Sequence, residues 1–294
     1  MARRCFLLLC LFTLPLCRGQ EIQSEKATFQ LPATLSQAPE IREPEPVLTL
    51  YEKIMKESTY YALLIGIEKY KDPQLPNLDN PGKDVEKLHE ILKGNYMFRD
   101  ENIMILNDAT RNDIINALDH LAGVVKETDN LLIFYAGHGW WDEASDIGYW
   151  LPSDATAGSK VNWFRNSTLV DYLKEIHSKH TLLITDACFG GSIFKSRAAA
   201  FGQEKAINRL YELPSRKAMT SGTLTEVPDR SAFAYYLIKY LKENKEMFLS
   251  SEQLFSSFRI AVINNSDALP QYGDIRNVGD QGGDFIFLKQ QTAQ

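Results

Sequence analysis

Residues Lys179 to Phe194 read KHTLLITDACFGGSIF. Leu182, Leu183, Ile184 and Thr185 make a short run of apolar and β-branched residues that stops at Asp186-Ala187-Cys188 and is followed by Gly190-Gly191. A run of this length, closed by turn residues, predicts a buried strand ending in a sharp turn that carries a thiol. Fifty residues upstream the arrangement repeats, with Asn130 to Ala136 (NLLIFYA) leading into Gly137-His138-Gly139. One thiol and one imidazole thus stand at the ends of two strands.

The flanking sequence extends the same grammar. Ala62 to Ile67 (ALLIGI) is a continuous apolar run, the mark of a strand buried on both faces of a parallel sheet. Val85, Leu88, Ile91 and Leu92 fall on one face of a helix, Ile103 to Leu106 predicts a second strand, and Ile114, Leu118, Leu121 and Val125 a second helix with Thr110 as its cap. Trp140 to Asp154 predicts a hairpin or covering loop, and Leu169, Leu173 and Ile176 a helix capped by Asn166 or Ser167. After Phe194 come a long loop rich in Lys and Arg, a short strand near Ala218 to Thr220, helices marked by Phe233, Leu237, Tyr240 and Leu241 and by Leu254, Phe258 and Val262, and a last strand at Phe285 to Leu288. This alternation predicts an α/β domain over residues 59–290. Its mostly parallel six-stranded sheet carries helices on both faces, and its site lies at the carboxyl ends of the strands.

The N-terminus has a different character. Arg3-Arg4 precede thirteen uncharged, mostly apolar residues, Cys5 to Cys17, and then Arg18-Gly19-Gln20, the layout of a signal peptide over residues 1–19 with cleavage after Gly19. Cys17 offers a lipoprotein signal as the alternative, which Leu16 before it disfavours. Residues 20–58 are expected to form a polar, Pro-containing linker, with a short helix where Leu48, Leu50, Tyr51 and Ile54 recur. The expected location is therefore outside the cytoplasm, periplasmic or extracellular, with no transmembrane helix once the signal is removed. Loss of Met1 to Gly19 takes away three arginines and no acid, moving the formal charge from -6 to -9, which argues against nucleic acid as a partner. It also takes away Cys5, Cys10 and Cys17, leaving Cys188 alone. A lone Cys in an exported chain with a His elsewhere is a candidate nucleophile, against the plain alternative of a buried structural thiol. A redox dithiol would need a second Cys.

A thiol at neutral pH is only a few per cent thiolate, so a catalytic Cys is paired with a His that stabilises the thiolate and later protonates a leaving amine. His138 fits both tasks, and the backbone amides of Gly139 and Cys188 lie on the two turns that would flank a tetrahedral oxyanion.

Tyr135-Ala136-Gly137-His138-Gly139 and Asp186-Ala187-Cys188-Phe189-Gly190-Gly191 resemble the His and Cys motifs of the caspase clan, nearest its metacaspase, paracaspase and bacterial caspase-like branch. The resemblance includes the order of the two residues, their spacing, Thr220-Ser221-Gly222 and Gly282-Gly283-Asp284-Phe285. It implies a caspase-haemoglobinase fold and a cysteine endopeptidase with His138 and Cys188 as its dyad, acting on protein or peptide substrates. Ala136 and Phe189-Gly190 depart from the metacaspase pattern and blur the subclass. Caspases that cut after Asp carry Gln two residues before the nucleophile. This chain has Asp186 there, and Asp84, in Asn80-Pro81-Gly82-Lys83-Asp84-Val85, resembles a second acid of metacaspases and paracaspases. Two neighbouring carboxylates repel unless a cation sits between them, so the pair is expected to hold a substrate Arg or Lys before the scissile bond, with Glu226 as a third acid. Asp84 as a helix-start residue and Asp186 as a turn partner is the structural alternative. A catalytically inert caspase-fold binding module is the rival function.

The remaining motifs carry less. His177 and His180 have a spacing compatible with a metal but also suit a helix end, so no metal site and no resident cofactor are expected. Calcium activation, known in some relatives, has no matching acidic loop here. Gly82-Lys83 lacks the rest of a phosphate loop. Asn166 and Asn264 open glycosylation sequons, and Trp140 and Trp141 could wall a cleft or fill a hairpin core. Lys195, Arg197, Lys205, Arg209 and Arg216, between Phe194 and Lys217, are where any self-cleavage would fall, the alternative being a solvated loop in a single-chain enzyme.

Overall fold

The computed structural model describes residues 47–187, 194–195, 205–222 and 230–291. Helix α1 (Val47–Glu57) leads into β1 (Tyr60–Gly66), α2 (Pro81–Asn95), β2 (Phe98–Asn107), α3 (Arg111–Val124) and β3 (Asn130–Ala136). A small antiparallel excursion, β4 (Gly139–Asp142), β5 (Ile147–Trp150) and β6 (Phe164–Arg165), precedes α4 (Asn166–Glu175) and β7 (His180–Asp186). Then follow β8 (Phe194–Lys195), α5 (Lys205–Glu212), β9 (Ser215–Thr220), α6 (Ala232–Glu243), β10 (Phe248–Ser250), α7 (Ser251–Asn265), β11 (Gln271–Ile275) and β12 (Ile286–Leu288).

The main sheet runs β2-β1-β3-β7-β9-β11, with two-residue β8 on the outer edge of β11. The first five strands are parallel, while β11 is antiparallel to β9 and β8 to β11. Because side chains alternate along a strand, the runs of β1, β3 and β7 feed two cores at once. Ala62, Leu64, Leu132 and Ile184 pack with Val85 and Leu88 of α2, Phe233 and Leu237 of α6 and Phe258 of α7. Leu63, Ile65, Ile133 and Leu183 face Ile114 and Leu118 of α3 and Leu169 and Leu173 of α4. Burial on both faces is why these strands read as unbroken apolar runs.

Several expectations need correction. The sixth strand of the sheet is β11, not Phe285 to Leu288. The latter end, as β12, pairs antiparallel with β10 in a separate two-stranded sheet. The expected long loop after Phe194 contains α5, whose Tyr211 is buried in the core with Ile207 and Leu210 packed against it. Thr110 does cap α3, accepting from Asp113 N at 3.2 Å while Asp113 Oδ2 accepts from Thr110 N at 2.8 Å, a reciprocal capping box. For α4 the cap position belongs to Arg165, with Asn166 the first helical residue. Asn166 is buried, so its sequon is closed to a glycosylating enzyme in the folded domain, whereas Asn264 is exposed near the end of α7.

His180, proposed above only as a weak metal ligand, is a structural residue at the amino end of β7. It is fully buried, with Nε2 3.0 Å from the Tyr211 carbonyl and Nδ1 2.8 Å from Ser215 Oγ. A carbonyl only accepts, so Nε2 carries the proton and Nδ1 accepts from the Ser215 hydroxyl. Burial, aided by the Lys179 charge, pushes this imidazole down to about 3. The unfolded chain then binds a proton that the folded chain refuses between about pH 6.5 and 3. His180's contribution to stability is present in full above about 6.5 and is lost as pH falls, at up to ~1.4 kcal/mol per pH unit. Urea titrations at pH 7 and pH 5 should show a smaller fall in stability for His180→Gln than for wild type. An equal fall would refute this account.

Opposite the parallel core, Lys217 of β9 is buried with its Nζ 2.5 Å from Asp274 of β11 and 3.2 Å from Asp280. Burial lowers the ammonium's pKa, but the two carboxylates outweigh it and hold it above its ordinary value. Lys217 and Asp274 are direct partners in the β9–β11 register.

Candidate active site

The carboxyl ends of β1, β3, β7 and β9 form one rim, stitched by backbone bonds past the last paired residues. Ile67 N donates to Ala136 O at 2.9 Å, Gly137 N to Asp186 O at 3.4 Å, and Ser221 N to Thr185 O at 3.0 Å. Ala136 is register partner of Asp186, so the turns bearing His138 and Asp186-Ala187 leave adjacent strands at the same level. Gly137 is required by close approach: a Cβ there would lie 3.0 Å from the Tyr135 hydroxyl and 3.1 Å from Ile67 Cβ.

His138 is half-buried and held from three sides. Its N donates to the Tyr70 hydroxyl at 2.8 Å, and its carbonyl accepts from the Tyr135 hydroxyl at 2.7 Å and from Leu151 N at 3.0 Å. Its Nε2 lies 2.9 Å from the Pro76 carbonyl. That oxygen can only accept, so Nε2 is the protonated nitrogen and Nδ1 is left as the basic one. The loop supplying Pro76 and Tyr70 joins β1 to α2 and is itself braced: Asp108 Oδ1 accepts from Glu68 N and Lys69 N at 2.7 and 2.8 Å, and Asn77 Oδ1 from Tyr70 N at 2.9 Å.

Gly139 opens β4 opposite Trp150. The bond from Leu151 N to the His138 carbonyl makes this a non-hydrogen-bonded pair of the ladder, so the Gly139 N–H points away from β5. The two tryptophans that follow differ. Trp140 is 50% exposed with its ring 5.8 Å from that of Trp163, and Trp141 is partly buried. The hairpin's packing is supplied by Trp150, stacked on Tyr135 at 4.4 Å, rather than by the tryptophan pair.

Cys188 lies outside the described residues, which reach Ala187, and Glu226, Arg197 and the side chains of Lys195 and Lys205 lie outside them too. Arg209 sits within α5 and Arg216 is buried in β9, so neither stands in an open loop.

Asp186 is buried, on the same sheet face as Leu182 and Ile184 and therefore toward α2 and α6. Among the described residues its Oδ1 has no hydrogen-bond partner within bonding distance, and neither has the buried hydroxyl of Ser221. Burial pushes the carboxyl up to about 6; the Ser231 and Ser221 hydroxyls favour the charged form, and the negative charge of Asp84 adds to the rise. Asp84, buried in the first turn of α2, accepts from Lys87 Nζ at 3.1 Å. Asp84 therefore complements a helix N-terminus, and its charge is felt by Asp186. Sequence reasoning gave no role to Tyr70 or Pro76, and Ser221 entered it only within a motif. Their only signal was the Pro-rich loop and the short Thr220-Ser221-Gly222 motif.

Among the described residues no three His, Cys, Asp or Glu side chains are grouped to hold a metal ion, and no helix is long and apolar enough to cross a membrane.

Comparison with known proteins completes the picture. The structure is similar to caspase-1 from Spodoptera frugiperda (TM-score 0.56, 12% identity, covering 81% of this chain and 93% of that one). It is similar also to a solved protein from Geobacter sulfurreducens (TM-score 0.50, 18% identity, 77% and 99% covered). Both likenesses concern the fold, which is the caspase-haemoglobinase α/β fold. In sequence, metacaspase-1 from Eremothecium gossypii is 31% identical over 149 residues, 45% of this chain, and the match spans only 32% of that relative. The peptidase C14 caspase-domain model matches residues 59–277, most of the chain, and the chain therefore belongs to the caspase-domain family of cysteine peptidases.

Proposed function

We propose that this chain is an exported cysteine endopeptidase in which Cys188 attacks and His138 moves the proton, cutting after Arg or Lys. The observation that carries the reading is the setting of His138. Its Nε2–H is committed to the Pro76 carbonyl, so the basic Nδ1 is left for a thiol, on a strand whose neighbour runs directly into Asp186-Ala187-Cys188.

In this mechanism Nδ1 accepts the Cys188 proton and the thiolate adds to the scissile carbonyl. The Gly139 N–H, unused by the hairpin, donates to the oxyanion. As the tetrahedral adduct collapses, the carbon–nitrogen bond breaks and His138 returns the proton to the leaving amine. A water, deprotonated by the same nitrogen, then hydrolyses the thioester. The preference for a basic residue rests on Asp186 and Asp84. A buried carboxyl whose Oδ1 is unpartnered among the described residues, close to a second acid, is stabilised as an anion once a guanidinium or ammonium enters. The basic and apolar layout of residues 1–19 supports export.

The test is hydrolysis of a peptide library varied at the residue before the cut. Cleavage confined to Arg and Lys is expected. Cleavage after Asp would overturn the specificity, and no cleavage by the folded protein at any peptide would overturn the enzyme and favour a binding module.

A further inference from the structure

Tyr70 has no part in the chemistry above, yet it touches His138 through both its hydroxyl and its ring. It is buried, its hydroxyl accepts from His138 N at 2.8 Å, and its ring centroid lies 4.9 Å from the imidazole centroid with the planes 38° apart. Its own N is fixed by Asn77 Oδ1, three residues before Asn80 at the cap position of α2. The phenol face is thus presented to the imidazole by a loop whose Pro76 also holds Nε2.

When a thiol transfers its proton to His138, the ring beside Tyr70 becomes a cation. An aromatic face within about 6 Å of a cation stabilises it through the ring quadrupole. The phenol itself stays neutral throughout, because burial holds it well above its ordinary range despite the His138 amide it accepts. Among the described residues the titratable side chains touching His138 are Tyr70 and, through its carbonyl, Tyr135. Two carboxylates of the same loop have other partners, Glu68 accepting from Gly82 N and Asp72 from Gln74 N and Ala157 N. The groups that hold His138 are thus a hydroxyl, a ring and two carbonyl contacts rather than a carboxylate: Tyr70 on its N and ring, Pro76 O on Nε2, and Tyr135 and Leu151 on its carbonyl, among the described residues.

We propose that Tyr70 is a positioning residue for His138: its hydroxyl fixes the turn that carries the imidazole, and its ring stabilises the imidazolium of the Cys188–His138 ion pair. The inference rests on the dyad reading of the site.

The experiment measures, on the full chain, the rate of Cys188 alkylation by iodoacetamide against pH, read at the Cys188 peptide by mass spectrometry, alongside kcat and KM. His138→Ala should move the onset of alkylation up toward that of an ordinary thiol, about 8.5. Tyr70→Leu should move it up by about one pH unit and lower kcat about tenfold at little changed KM. Tyr70→Phe keeps the ring, so its onset should match wild type while kcat falls several-fold for want of the acceptor. Tyr70→Met, also without a ring, replaces Tyr70→Leu should the latter lower the thermal midpoint. A folded Tyr70→Leu or Tyr70→Met with the wild-type onset overturns stabilisation of the imidazolium, and Tyr70→Phe with wild-type kcat overturns positioning through the hydroxyl. An onset unmoved by His138→Ala would instead overturn the dyad, and this inference with it.

Discussion

Cys188→Ala and His138→Ala should each lower kcat/KM on an Arg-containing peptide by three orders of magnitude or more, and the double variant should be little worse than either. General acid–base transfer alone is worth on the order of 10²–10⁴-fold, and a nucleophile without its base, or a base without its nucleophile, is nearly as inert as the pair removed together. Removing His138 also removes the group through which Pro76 and Tyr70 act. The fold should survive, because the imidazole is only half-buried and the strand beneath it is not altered. Far-ultraviolet circular dichroism and the thermal midpoint establish that. Additive losses, each modest, would mean that the two residues do not work as a unit.

Asp186→Asn should be nearly as damaging to substrates with Arg before the cut, on the order of 10²–10³-fold in kcat/KM, since a buried charged partner is lost and the substrate cation is left uncompensated. Its pH dependence gives a second readout. With the carboxyl raised to about 6 by burial, Asp186 is protonated below that pH and cannot pair with the cation. Activity on Arg substrates should fall on the acid side of about 6, and the residual activity of Asp186→Asn should lack that limb. Stability should move the other way. A folded pKa above the unfolded value near 3.9 means that the folded chain holds a proton the unfolded chain releases, so stability is lost as pH rises from about 4 through 6. Asp186→Asn should therefore raise stability at pH 7, by up to ~3 kcal/mol, and leave it nearly unchanged at pH 4. A variant less stable at pH 7 would show that the carboxylate is satisfied by the protein itself.

Much of this architecture was legible because strands buried on both faces cannot hide. Ala62 to Ile67, Leu131 to Ala136 and Leu182 to Ile184 carry almost no polar side chains, and the turns after them announce the rim. His138 and Asp186 were legible as residues of that rim, and Asp84 as a residue at the start of a helix. Other features lacked a local signal. Pro76 and Tyr70 reach His138 across more than sixty residues of chain through a carbonyl, a hydroxyl and a ring. Phe285 to Leu288 reads as another core strand, and it is buried, but against β10. Gly283, in the motif just before it, is held to glycine by the Leu213 carbonyl, which a Cβ would strike. The helix α5 was hidden by its charges.

The strand that escaped notice, Gln271-Tyr272-Gly273-Asp274-Ile275, raises a problem of alignment that its apolar residues cannot solve. Only Gly273 and Ile275 are buried, too few to tell one pairing from another by greasiness alone. The ion pair with Lys217 supplies what they lack. Sliding β11 by one residue would turn Asp274 to the opposite face and leave the buried ammonium with Asp280 as its one remaining partner among the described residues, a penalty of about 1–3 kcal/mol. Charge here acts as an index pin: it contributes little net cohesion, but it makes every misaligned assembly of the sheet's antiparallel edge expensive, and so chooses one pairing out of several.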